Sequence, residues 1–77
     1  MRILIADDEK GIRLTLGDDL SDAGHSVKAV DNGEAAWEEL QRKPYDMLVS
    51  DIVMPGIDGL ELLKRAKEKF PDRKSVV

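Results

Sequence analysis

Short apolar runs alternate with longer amphipathic segments along the whole chain. Residues 3–6 form a continuous apolar run of strand length, which predicts a first strand, β1, buried on both faces of a sheet. In residues 9–23 the apolar side chains recur at helical spacing, which predicts helix α1. The apolar face of this helix comprises Ile12, Leu16, Leu20 and Ala23. The first part of the chain is therefore predicted to form a βα unit.

The same alternation continues to the last residue, and glycine and proline mark the ends of the elements. Gly24 stands where a helix stop is expected, Asn32 can cap the second helix, and Pro71 ends the third. The third helix is outlined by Leu60, Leu63, Ala66, Lys67 and Phe70. The remaining elements are predicted as β2 at 27–30, α2 at about 33–42, β3 within 45–50, α3 at about 60–70 and the opening of β4 at 75–77.

A succession of βα units predicts an α/β fold with a three-layer, doubly wound parallel sheet. We adopt the flavodoxin-like strand order 2-1-3-4-5 for this sheet, in which β1 and β3 are neighbours. We expect the right-handed crossovers to place α1 and α3 on one face of the sheet and α2 on the other. Ligands of such sheets bind beyond the carboxyl ends of the strands, where the strand order reverses.

Charge and composition narrow the class of protein. The chain has no cysteine, no apolar run of membrane-spanning length and no signal-peptide pattern, so we expect a cytoplasmic protein without membrane contact. The net charge of −4 argues against direct nucleic-acid binding. Residues 1–60 carry a net charge of −7 and residues 61–77 a net charge of +3, concentrated on α3. The basic helix is expected to be a solvated face, with a docking role as the alternative.

Three aspartates follow the two strands that are predicted to be neighbours. Asp7 and Asp8 come directly after β1, and Asp51 comes directly after β3. Carboxylates brought together at one sheet edge repel one another unless they share a cation or a proton or remain exposed. Oxygen-only donors favour a hard divalent ion such as Mg²⁺. A metal-bound carboxylate beside an open coordination position is also a plausible acceptor for a phosphoryl group.

Two segments carry a resemblance to a known family. Residues 3–9 read ILIADDE, and residues 47–59 read MLVSDIVMPGIDG. In this order and spacing they resemble the receiver domain of two-component response regulators, over the whole chain. The resemblance implies that Asp51 accepts a phosphoryl group from a sensor histidine kinase, as an aspartyl phosphate. It implies that Asp8, Asp51 and the backbone carbonyl of Val53 bind Mg²⁺ directly, and that Asp7 acts mostly through water.

The family needs further residues to complete its site, namely a hydroxyl residue after β4 and a lysine after β5. The chain ends inside β4, so residues 1–77 are expected to form a single, incomplete receiver domain. We therefore expect Mg²⁺ binding with poor phosphoryl acceptance and no switch. We also expect β3 to lack a stable partner on one side. Such an edge predicts a dimer or higher oligomer, formed by strand pairing or domain swapping.

Other interpretations of these residues remain open. Asp8 could act only as a helix N-cap, and Asp51 could merely end a strand. An enzyme alternative is an aspartate-nucleophile phosphohydrolase of the haloacid-dehalogenase type, which expects Asp-x-Asp with its nucleophile after the first strand. Here the pair after β1 is adjacent and the best acceptor follows β3. The last alternative is a non-signalling assembly piece that acts only by pairing strand edges.

Overall fold

The computed structural model describes residues 1–76, with side chains described for residues 1–75. Strands and helices alternate through this part of the chain, as the sequence predicts. Val77, which the predicted β4 includes, lies outside the described residues. The elements are β1 (Arg2–Ala6), α1 (Lys10–Asp22), β2 (Ser26–Val30), α2 (Gly33–Arg42), β3 (Met47–Ser50), α3 (Gly59–Lys69) and β4 (Lys74–Val76).

The four described strands form one parallel sheet in the order β2-β1-β3-β4. This order confirms the predicted flavodoxin-like α/β fold and places β1 beside β3. Ile3 lies opposite Met47 and Ala6 opposite Ser50, so the two strands end at the same edge. The expectation that β3 lacks a partner is wrong, because β3 pairs with β4 from Met47 to Val49. The unpaired outer edges of the described sheet belong to β2 and β4.

The predicted placement of the helices is also wrong, because α2 and α3 share one face of the sheet. The Trp37 and Phe70 rings, from α2 and the end of α3, lie 6.3 Å apart between centroids. Lys69 Nζ donates to Gln41 Oε1 at 3.0 Å, joining the same two helices. The right-handed rule itself requires this arrangement once the order is known. The chain steps from β1 to β2 in one direction, whereas both later crossovers step in the other direction.

The hydrophobic core lies between the sheet and these two helices. Leu4 of β1 and Leu48 of β3 point towards Leu40 of α2 and Leu62 of α3, and all four are buried. The opposite face is covered more thinly. Ile3 and Ile5 are buried there, yet α1 itself contributes no buried residue.

The element ends follow the predicted chemistry, whereas the buried face of α3 does not. Asn32 Oδ1 accepts a hydrogen bond from Ala35 N at 2.7 Å and caps α2. Gly24 adopts a φ of 95° just after α1, a left-handed conformation that favours glycine. The interpretation of Leu60 as part of the packed face is wrong, because this side chain is 61% exposed and Leu62 is buried instead. No helix within residues 1–76 has the length and apolar composition needed to cross a membrane.

Candidate metal and phosphoacceptor site

The three predicted aspartates meet at the carboxyl edge of β1 and β3. Asp7, Asp8 and Asp51 each place one carboxylate oxygen within 4.8 Å of the other two. The parallel register explains this proximity, because Ala6 and Ser50 are partners and each strand ends one residue before an acid. The backbone N–H of Asp51 also donates to the Ala6 carbonyl at 2.8 Å, which carries the sheet contact into the site.

Asp7 is held from two sides and is buried, with 8% of its surface exposed. Its Oδ1 accepts the backbone N–H of Glu9 at 2.9 Å, and its carbonyl accepts Arg13 Nη1 at 2.9 Å. Its N–H donates to the Val30 carbonyl at 3.1 Å. These contacts fix both the backbone and one carboxylate oxygen. They leave Oδ2 without a hydrogen-bond donor among the described residues.

Asp8 does not cap the helix that follows it. The N-cap residue of α1 is Glu9, and no side chain caps this helix. Among residues 1–76, no hydrogen bond reaches the Asp8 carboxylate, which is exposed at the mouth of the acidic cluster. The capping interpretation of Asp8 is therefore wrong, and the side chain is free to bind a ligand.

Asp51 is half-buried, and its carboxylate is oriented by its own loop. Oδ1 accepts the backbone N–H of Ile52 at 2.8 Å, which leaves Oδ2 available. Ser50 Oγ donates to the Asp51 carbonyl at 2.9 Å. One carboxylate oxygen is thus held in place while the other has no donor among the described residues.

The loop that carries Asp51 is fitted closely between α2 and α3. A Cβ atom on Gly59 would collide with the Asp51 carbonyl, and one on Gly33 would collide with the Ile57 carbonyl. Gly59 N also donates to the Ile52 carbonyl at 2.8 Å. Both glycines therefore allow backbone contacts that any larger residue would prevent.

Val53 lies in this loop with its side chain 76% exposed. No described residue donates a hydrogen bond to its carbonyl. A carbonyl without a donor is able to bind a cation, and its predicted role as a metal ligand stays a prediction.

The donor set suits a hard divalent cation. All three converging side chains are carboxylates, and Asp7 and Asp51 each keep one oxygen without a donor among the described residues. Uncompensated carboxylates at this separation repel one another, and a divalent ion removes that repulsion. Mg²⁺ fits such a site because it binds one or two carboxylates while keeping several waters.

Sequence reasoning missed Arg13, which contacts the backbone carbonyl of Asp7 beside the acidic cluster. Its guanidinium reaches back from the first turn of α1 to the carbonyl of Asp7. The signal was a basic residue six positions after the first acid, at the start of the helix that packs over it. The close contacts of Gly33 were also missed, because a glycine after Asn32 is equally explained by the turn alone.

A buried polar pair lies away from the acidic cluster, where α2 connects to β3. Tyr45 donates its hydroxyl to Glu39 Oε1 at 2.8 Å, and both residues are buried. This hydrogen bond lowers the pKa of Glu39, with smaller help from Lys43 and Arg42 and against the effect of burial. Burial, together with the same hydrogen bond, raises the pKa of Tyr45 to about 12. The pair therefore favours a charged Glu39 and a neutral Tyr45.

The fold and this acidic edge define a doubly wound α/β domain with a candidate metal site. The sequence of residues 3–77 matches the family model described as the response regulator receiver domain. The response regulator receiver protein CpdR of Brucella abortus is 48% identical over 73 residues, which are 95% of this chain and 61% of that protein. The chain belongs to the response regulator receiver domain family.

Solved structures agree with this assignment. The response regulator TrrA of Thermotoga maritima, in complex with Mg²⁺-BeF, matches with a TM-score of 0.92 and 39% identity. The match covers 96% of this chain and 64% of that one. TrrA in complex with the histidine kinase ThkA matches with a TM-score of 0.90, the same identity and the same coverage. The chain thus spans somewhat less than two thirds of these relatives.

Proposed function

We propose that this chain is a phosphoryl-accepting signalling module in which Asp51 is the acceptor. Asp7, Asp8 and Asp51, together with the Val53 carbonyl, are the residues that would hold Mg²⁺. The observation that carries the proposal is the convergence of the three carboxylates within 4.8 Å at the carboxyl edge of the sheet. Family membership supports it, as does the Mg²⁺-BeF complex of TrrA.

Phosphoryl transfer to Asp51 requires mainly positioning and charge stabilisation from the protein. An oxygen of Asp51 attacks the phosphorus of a phosphohistidine, the P–N bond breaks, and the ring nitrogen keeps the electron pair. The backbone N–H of Ile52 holds Oδ1 and so fixes the orientation of the carboxylate for this attack. When bound, Mg²⁺ would neutralise charge on the phosphoryl oxygens. Asp7 and Asp8 supply the negative charge that keeps the cation beside the acceptor.

The partner that fits this role is a sensor histidine kinase in the cytoplasm. The complex of TrrA with ThkA supports a kinase partner for a chain of this family. We propose no direct contact with nucleic acid or membrane for these residues, in keeping with the net charge of −4. The chain acts as a regulatory phosphoacceptor and not as an enzyme with turnover.

We further propose that residues 1–77, as an isolated polypeptide, form one incomplete receiver domain. They contain no residue at the family's later hydroxyl and lysine positions, so the transfer should be slow and the switch absent. The outer edge of β4 carries unpaired backbone groups in the described sheet. Pairing of this edge with a second copy, or exchange of the strand, would complete the sheet between chains.

Acetyl phosphate with Mg²⁺ tests the acceptor, with intact mass as the measurement. We expect a slow, partial gain of one phosphoryl group, which Asp51→Asn abolishes. Asp18→Asn, an exposed acid on α1, is the matched control and should behave as wild type. Phosphorylation that persists in Asp51→Asn would contradict the assignment, and rapid, stoichiometric modification would contradict the proposed impairment.

A metal titration tests the acid pair separately. Asp8→Asn should weaken Mg²⁺ binding by about tenfold or more, as expected for loss of one charged ligand. Asp18→Asn again serves as the control of equal charge. The phosphohydrolase alternative is checked in the same samples with p-nitrophenyl phosphate. Steady turnover of this ester by wild type, lost in Asp51→Asn, would favour an enzyme.

Oligomerisation is tested on wild type and Asp51→Ala by light scattering. We expect both to form dimers or larger species, because β4 lies apart from the acceptor. A compact monomer at high concentration would contradict the edge-pairing proposal. Oligomers without any phosphoryl transfer would favour a non-signalling assembly piece.

A further inference from the structure

A cationic pocket lies at the opposite end of the sheet from the acidic site. It has a volume of about 320 Å³ and is lined by Arg2, Ser26, Val27, Lys28, Lys43 and Tyr45. Three of these six residues are cations, and none is an acid. The chain as a whole carries a net charge of −4, so the pocket is positively charged on a protein that is negatively charged overall. We call this feature the amino-edge pocket.

The strand register explains why two of the cations converge. Arg2 lies opposite Ser26, and Leu4 lies opposite Lys28. Side chains alternate along a strand, so Arg2 shares a face with Leu4 and therefore with Lys28. This is the face that α2 and α3 cover. Both long side chains thus extend over the part of the sheet beside the end of α2.

Arg2 and Lys28 form no ion pair within the described structure. No carboxylate of residues 1–76 lies within 4.0 Å of either charged group. Asp46 does bind Arg2, but through the backbone N–H at 2.8 Å and not through the guanidinium. Two cations without ion-pair partners in one concave site favour an anionic ligand there, although the Asp46 carboxylate lies beside the Arg2 backbone.

The third cation, Lys43, is positioned by a buried acid. Lys43 Nζ lies 3.5 Å from Glu39 Oε1, the same oxygen that accepts the Tyr45 hydroxyl. Glu39 and Tyr45 are both buried, so the side of the pocket that Lys43 and Tyr45 line is supported by a packed hydrogen-bonded pair. Such anchoring reduces the conformational entropy that a ligand must otherwise remove on binding.

We propose that the amino-edge pocket binds a small phosphorylated anion. Arg2 and Lys28 contact its phosphate oxygens, and Lys43 and the Ser26 hydroxyl border it. The site is separate from the Asp51 site and does not depend on phosphoryl transfer there.

The shape of the pocket favours a small molecule over a macromolecule. A volume of about 320 Å³ matches the lower end of small-ligand sites. An acidic peptide or a membrane would call for an extended basic surface, whereas here the cations surround one depression. Neither Arg2 nor Lys28 belongs to the basic helix α3, which is where an extended surface would lie.

Pyrophosphate is the probe, followed by NMR on the isotopically labelled 77-residue chain at constant ionic strength. EDTA without Mg²⁺ keeps the probe away from the acidic site. We expect saturable shifts of the amides of Arg2, Ser26, Lys28 and Lys43, with none at Asp7 or Asp51. Shifts that do not saturate, or that spread evenly over all cationic residues, would overturn the proposal.

Two double variants of equal charge separate a site from a general charge effect. Arg2→Gln with Lys28→Gln should weaken pyrophosphate binding at least about tenfold, as loss of charged hydrogen bonds predicts. Lys64→Gln with Lys67→Gln removes the same charge from α3 and should change binding less than about twofold. Equal weakening by both pairs would overturn the proposal.

Single variants guard against a folding defect in the first pair. Lys28→Gln and Lys43→Gln each alter one exposed side chain, and circular dichroism verifies their fold. Each should weaken pyrophosphate binding several-fold. Binding that is unchanged in both would overturn the proposal. A short oligoglutamate peptide that binds the pocket more tightly than pyrophosphate would overturn the small-anion assignment.

Discussion

The two faces of the sheet differ in how fully their helices cover them. On the α2/α3 face, Leu4, Leu48 and Leu62 are at most 2% exposed and form one cluster. On the α1 face, the helix buries none of its residues, and Leu14 is 56% exposed. Asp51 belongs to the loop held between α2 and α3, whereas Asp7 and Asp8 lead into α1. The acidic site therefore joins a firmly packed half of the molecule to a thinly packed one.

The largest effect should come from the packed face. Leu62→Ala removes a side chain that is 0% exposed and should lower the free energy of unfolding by about 2–5 kcal/mol. Leu14→Ala, on the exposed side of α1, should change it by less than about 0.5 kcal/mol. Urea unfolding followed by circular dichroism measures both. Similar losses in the two variants would show that the faces contribute equally.

Glycine substitutions should have opposite signs on the two faces. Gly33→Ala places a Cβ against the Ile57 carbonyl and should destabilise the chain by about 1–3 kcal/mol. A Cβ on Gly17 of α1 meets no atom within 4 Å, so Gly17→Ala should stabilise by about 0.5–1 kcal/mol. Thermal unfolding distinguishes them. A stabilised Gly33→Ala variant would contradict the close fit of the loop.

The Glu39–Tyr45 pair should make the α2 side sensitive to alkali. Tyr45 has a pKa of about 12 in the folded chain against an ordinary value of 10.0, so its contribution is complete below pH 10. That contribution is lost as the pH rises towards 12, because the unfolded chain releases the proton first. Tyr45→Phe should destabilise by about 1 kcal/mol at neutral pH and lose this part of the alkaline decline.

Glu39 should make the stability depend on pH in the opposite direction, with a loss towards acid. The pKa of Glu39 is lowered from an ordinary value of 4.5, so its contribution is present above that pH. It should disappear as the pH falls further, and Glu39→Gln should reduce this acid dependence. Unfolding measured across the pH range in wild type and both variants tests the two signs. Parallel curves for all three chains would contradict the coupling.

The smallest effect is expected at the acidic edge, where the two halves meet. Without metal, Asp8→Asn removes one of three clustered charges and should stabilise the chain by up to about 1 kcal/mol. With Mg²⁺ in excess the order should reverse, because wild type is expected to bind the ion more tightly than the variant. The melting temperature in EDTA and in Mg²⁺ measures both. If the order of the two melting temperatures does not reverse, the assignment of Asp8 as a metal ligand is wrong.

The order of elements was predictable because it follows from local signals, whereas the convergence of the acids also required a strand order adopted from a known fold. Apolar runs, Gly24 and Asn32 mark the elements, and the strand order alone then places Asp51 near Asp7 and Asp8. The buried face of α3 was not predictable from spacing, because Leu60, Leu62 and Leu63 offer two competing apolar stripes. Packing selected the stripe that contains Leu62 and Ala66.

Features that depend on the three-dimensional path of the chain were beyond the apolar pattern. The pattern of α2 does not indicate that Glu39 is buried, although its partner Tyr45 lies only six positions later, in the connection to β3. The close approach of Gly33 to Ile57 likewise appears only once the loop after β3 is in place. The spacing of Arg13 from Asp7 signals that the two residues are close, but the contact with the Asp7 carbonyl also depends on the path of α1.

The pairing of β1 with β3 also sets when the acidic edge forms during folding. Ile3 pairs with Met47, 44 positions further along the chain, so this contact closes a longer loop than the pairing of Ile3 with Val27. The longer loop adds a modest entropy cost to its closure, and non-local strand pairing is slow. β1 and β2 are closer in sequence and can pair earlier. A cation that needs both Asp8 and Asp51 therefore stabilises only chains in which β1 and β3 have paired. The moment at which such a cation binds during refolding would report when this pairing occurs.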